Sequence, residues 1–111
     1  MGNIETVIQL SLGDVFIPGG RDKHTAEIFN DARRRMVEVK LQRNAELTRH
    51  KAMEPISVFC LSGRGVFRAG PDLEDEQKLE PGTLLTLEAE VEHEVIARPD
   101  LHLLVTKFKN S

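Results

Sequence analysis

The chain of 111 residues is 40% hydrophobic, 30% charged and 5% aromatic, a length that fits one domain with its own core and excludes two. Lys and Arg number 15 against 18 Asp and Glu, a formal net charge of -3, which excludes the net basic face that nucleic-acid binding needs. The single cysteine, Cys60, excludes an intramolecular disulfide framework and points to a reducing compartment.

The opening MGNIETVIQL lacks the basic stretch and long apolar core of a secretory leader. No apolar run approaches the ~20 residues of a membrane span. The expectation is a soluble, cytoplasmic chain with neither a membrane nor a nucleic-acid partner. Gly2 and Thr6 fit the loose myristoylation pattern, but no basic cluster follows to supply the second membrane signal, and chance explains the match. Residues 4–12 fit a strand or one short helix.

Within 25–37, Ala26, Phe29, Ala32, Arg33 and Met36 share a helical stripe. Asn30-Asp31 between two β-compatible runs favours strand–turn–strand instead. Arg33-Arg34-Arg35 is the only basic run, and on a turn of an acidic chain it reads as solvated surface. Val37, Val39 and Leu41 then alternate with polar residues, as a strand with one buried face does. Ile56, Val58 and Cys60 alternate with Ser57, Phe59 and Leu61, apolar on both faces and therefore central.

Ser62-Gly63-Arg64-Gly65 stands where a hairpin turn would join two strands. Gly70-Pro71 and Pro81-Gly82 bracket an acidic stretch (Asp72, Glu74, Asp75, Glu76) that lacks calcium-loop spacing and reads as a solvated loop. Leu85 and Leu87 alternate with Thr86 and Glu88, and His93, Val95 and Ala97 open a further strand. Pro99-Asp100 is expected to turn the chain into a last strand, 101–108, whose inward face the pattern leaves undecided. Short strands and frequent turns make the chain all-β, a sandwich or barrel.

The four histidines are His24, His50, His93 and His102. From Val39 to Phe108 the chain resembles a small single-domain cupin of the RmlC-like jelly-roll family. The residues that carry the likeness are Asn44, His50-Lys51-Ala52, Ile56 and Gly63 for the first cupin motif. For the second they are Gly82, Glu88-Ala89-Glu90, His93 and Ala97. The resemblance implies a double-stranded β-helix (jelly-roll) barrel with a short N-terminal extension. Residues 1–34 would hold the extension and first strands, and 35–111 the barrel core, all in one domain. It also implies a homodimer, in which an N-terminal strand adds to the partner's sheet.

Metal-binding cupins gather three histidines and a glutamate, and two of those positions are Ala52 and Ile56 here. Two imidazoles supply half of a tetrahedral shell. Glu54 shares the inward parity of Ile56, and His102 is a further candidate if the last strand turns that side in. Cys60 has no neighbouring cation to lower its pKa and reads as core packing.

Two readings follow. The first is a small organic molecule held in an apolar barrel pocket lined by Val39, Ile56, Val58, Cys60 and Val95, with His50 and His93 as polar handles. The second is a metal-dependent enzyme of oxygenase or isomerase type, with a divalent transition metal on His50 and His93 and with Glu54 completing the set. The loss of two ligand positions favours the first.

Overall fold

The computed structural model describes residues 2–109, so Met1 and the last two residues of the 35–111 stretch lie outside it. Seven strands follow a single 3-10 turn at Pro18–Gly20: β1 (Lys23–Asn30), β2 (Arg34–Leu41), β3 (Glu46–His50), β4 (Ile56–Ala69), β5 (Asp75–Leu79), β6 (Leu84–Leu87) and β7 (His93–Phe108). All pairings are antiparallel. Among the described residues no helix is long and apolar enough to cross a membrane.

The two long strands organise everything else. β4 and β7 pair along most of their length, Ile56 with Lys107 at one end and Ala69 with His93 at the other. The first half of β4 and the second half of β7 form one sheet with β6, β2 and β1. The remaining halves form a second sheet with β3 and β5. This is the jelly-roll arrangement, two antiparallel sheets sharing strands that cross from one to the other.

The crossing point corrects two expectations. Ser62-Gly63-Arg64-Gly65 is not a hairpin, and Pro99-Asp100 does not reverse the chain; β4 and β7 run straight through them. These residues make bulges instead, with register shifts between Cys60 and Ser62 and between Gly63 and Gly65, and a bulge bends and twists a strand without ending it. Gly63 adopts φ 82°, and a Cβ on it would stand 2.1 Å from the Asp100 carbonyl oxygen. Close backbone approach at the bend therefore demands the glycine that local pattern reads as a turn.

The stretch 25–37 is strand–turn–strand as expected. Asp31 shapes the turn, its Oδ1 accepting from the Arg33 and Arg34 amides at 2.9 Å each. Residues 4–12 form neither strand nor helix. Leu10 is half-buried, but Ile4 and Val7 are 76% and 80% exposed. β3 and β5 are additional to the sequence reading, and β5 takes up part of the acidic stretch, with Arg68 paired to Glu76 at 3.0 Å.

The last strand faces inward through Leu101, Leu103 and Val105, which join Leu41, Val39, Val58 and Cys60 in the core. His102 therefore points away from the barrel interior. It is buried on the outer face, where its Nε2 lies 2.7 Å from Glu38 Oε2.

Candidate functional site

Between the two sheets lies a cavity of about 450 Å3, within the usual size of small-molecule sites. One wall comes from the first sheet: Val37, Val39, Ile56, Val58, Leu103 and Val105. The facing wall is Leu47, Thr48, His50, Phe67, His93 and Val95, with Lys51 and Ala52 on the connecting segment. Period-two alternation on β2, β4 and β7 supplies the valines, since each inward position falls two residues from the next.

His50 and His93 meet here although they are far apart in sequence. They are register partners between β3 and β7, with ring centroids 4.2 Å apart in an edge-to-face arrangement. A bulge between Leu47 and His50 makes this possible. In a regular strand residues three apart point to opposite faces, and the extra residue brings both to the cavity. His93 is buried and stacks on Phe67 at 5.4 Å. His50 is exposed and stands at the mouth.

Both rings are oriented by the backbone two residues upstream. His50 Nδ1 lies 2.7 Å from the Thr48 carbonyl oxygen and His93 Nδ1 lies 2.9 Å from that of Val91. A carbonyl oxygen only accepts, so both Nδ1 atoms carry the proton and donate it. In the neutral rings each Nε2 is then an acceptor offered to whatever enters.

Burial pushes the His93 pKa below its ordinary 6.5, the charges of His50 and Lys107 push the same way, and the bond to Val91 opposes them. The unfolded chain therefore takes up this proton at a higher pH than the folded one. Stability contributed by neutral His93 is complete above about pH 7 and declines as pH falls through 6.5 toward the folded pKa. Urea midpoints measured across this range should decline in the wild type and decline less in His93→Gln. Parallel profiles would contradict the assignment.

Of the expected pocket residues, Val39, Ile56, Val58, Val95 and the His50–His93 pair line the cavity. Cys60 does not. It is fully buried beyond the cavity floor, opposite Leu103, with its Sγ 3.5 Å from the Ser62 carbonyl oxygen and its pKa raised by burial. Glu54 is also absent from the wall, because it lies in the bend before β4, where strand parity does not apply. Sequence reasoning missed Phe67 and the basic residues of the rim. Arg35, read as solvated surface, lines the cavity, and its even spacing from Val37 and Val39 is the signal that would have placed it there.

No protein-family profile and no curated protein matches the chain. Solved structures do. A conserved protein of unknown function from Streptococcus pyogenes superposes with a TM-score of 0.77 at 19% identity, over 99% of this chain and 94% of that one. A cupin-superfamily protein of Desulfitobacterium hafniense does so at 0.76 and 10% identity, over 86% and 84%. The chain has the fold of the small cupin domains. A third similar structure is a variant of salicylate 1,2-dioxygenase from Pseudoaminobacter salicylatoxidans in complex with gentisate, with a TM-score of 0.71 and 14% identity over 78% of this chain and 25% of that one.

Many cupins hold a metal, and the residues present here do not fit one. Among the described residues no group of three or more His, Cys, Asp and Glu side chains converges. Ala52 and Ile56 offer no donor atom, and Lys107 places a positive charge near His93 where a metal site would need an anionic ligand.

Proposed function

We propose that this cupin binds a small organic molecule between its sheets, without a resident metal. The observation that carries the reading is the cavity itself: valine and leucine walls around two imidazoles whose Nε2 atoms are held as acceptors. An apolar space with a few convergent polar groups is the usual form of a ligand site. The ligand's body lies against Val39, Val58 and Val95, and a hydroxyl or amide of the ligand donates to the histidines. The metal-dependent reading gains from the likeness to a dioxygenase, but fold alone does not carry chemistry, and the donor set is short of ligands.

The proposal is tested by a fragment screen read through methyl NMR signals. Hits should move the methyls of Val39, Val58 and Val95, and His50→Ala and His93→Ala should each weaken them by roughly tenfold or less, as the loss of one hydrogen bond does. Hits confined to the outer faces would overturn it. We further propose a cytoplasmic homodimer, in which a second copy covers Ile4, Val7, Leu12 and Phe16. A solution mass of a single chain would contradict that part.

A further inference from the structure

The inward rows of β2 and β7 are apolar until their last members. Val39, Val37 and then Arg35 follow one another on β2; Leu103, Val105 and then Lys107 follow on β7. Arg35 and Lys107 are themselves register partners, so the two apolar rows end side by side in two cations, both half-buried. Lys51, beside His50, adds a third cation to this lining, whereas Lys23 of β1 pairs with Leu41 at the far end of β2 and lines the cavity away from them. Among the described residues that line the cavity, none is Asp or Glu, in a chain where acidic residues outnumber basic ones.

Arg35 is partly neutralised, because its Nε lies 2.7 Å from Glu27 Oε1. The three lysines are not; among the described residues none has a carboxylate within ion-pair distance. Like charges gathered at one opening repel each other and destabilise the fold slightly unless something bound offsets them. Cations at the mouth of a low-dielectric cleft also focus the field inward, which favours a negatively charged entrant. With their Nδ1 atoms donating to backbone carbonyls, the two imidazoles turn Nε2 toward a donor on the ligand, and the lysine ammoniums are the groups that suit its negative end.

From this placement we infer that the ligand is a small organic anion, an apolar body carrying a carboxylate or similar charge, with the charged end held by Lys107 and Lys51. This rests on the cavity being the ligand site and adds the sign of the ligand's charge. It also makes Lys107 a specificity-determining residue, because it, unlike Lys51, is half-buried and continues an inward row.

The test compares benzoate, phenylacetate and hexanoate with their neutral amides, using methyl NMR shifts to locate and titrate each probe at low salt. The acids should bind the cavity roughly tenfold more tightly than the amides, the gain expected of a few partly screened charge contacts. That preference should shrink on adding salt. In a Lys51→Gln, Lys107→Gln variant the acids should fall to the affinity of the amides, while unchanged amide binding shows that the fold and cavity persist. Lys107→Glu should turn the preference toward benzylamine. Acids and amides binding the cavity equally would overturn the charge inference and leave the cavity reading intact. A preference that survives the double substitution would overturn the assignment to these lysines. Probes that leave the cavity methyls unmoved altogether would overturn both.

Discussion

Gly63→Ala should cost about 3–5 kcal/mol of folding stability, enough to unfold a marginal domain of this size. The added Cβ would stand 2.1 Å from the Asp100 carbonyl oxygen and 2.7 Å from its carbon, both backbone atoms of β7 that cannot swing away. The residue would also have to hold φ 82°, a conformation in which a side chain is strained even in open space. Urea denaturation monitored by circular dichroism reads the loss directly. Gly82→Ala is the internal control, since it has a similar positive φ of 96° but nothing within 4 Å of the place its Cβ would take, and should cost only about 1 kcal/mol. Equal costs at the two sites would show that backbone conformation, not the crossing of β4 and β7, fixes the glycine.

Val58→Asp should be comparably severe, at about 3–5 kcal/mol, because the side chain is 2% exposed and faces Val105 and Leu85 in register. A carboxylate there has no partner and loses its water. Ile56→Asp, two residues earlier on the same face, should cost distinctly less. Lys107 is the register partner of Ile56 on β7, so the new carboxylate would stand next to an ammonium that has no carboxylate partner among the described residues. The ranking is read from denaturant midpoints of the two variants, and the reverse order would mean that Lys107 does not turn toward the cavity.

Much of the fold was legible because the physics that sets it is periodic. Val37, Val39 and Leu41 declare their inward face by alternation alone, Ile56, Val58 and Cys60 declare a central strand, and the Asn30-Asp31 turn declares the first hairpin. The cupin motif positions added the topology. Asn44, at the first glycine position of that motif, adopts φ 61°, a left-handed conformation that asparagine tolerates better than most residues. The motif was thus marking a backbone need that survives the change of residue.

What was not legible depends on contacts between distant segments. Gly63-Arg64-Gly65 and Pro99-Asp100 carry turn chemistry, yet each serves a bend, because the other strand passes against it. His50 reaches the cavity through a bulge between Leu47 and His50 that no local pattern announces. Arg35 reads as one of three surface arginines until the parity of β2 is fixed, and Lys107 reads as the polar end of a strand until its partner is known. The basic rim is therefore invisible in composition, where the chain is acidic overall.

The most direct test of the central claim, a ligand cavity rather than a metal centre, is the metal content of the protein purified without chelator and without a nickel column. Elemental analysis should find far less than one transition-metal ion per chain. Adding zinc, manganese or iron should shift the melting temperature of neither the wild type nor the His50→Ala and His93→Ala variants, whereas a metal that bound the native state would raise it by mass action. One metal ion per chain, lost in either histidine variant and released as pH falls below about 6, would contradict the account.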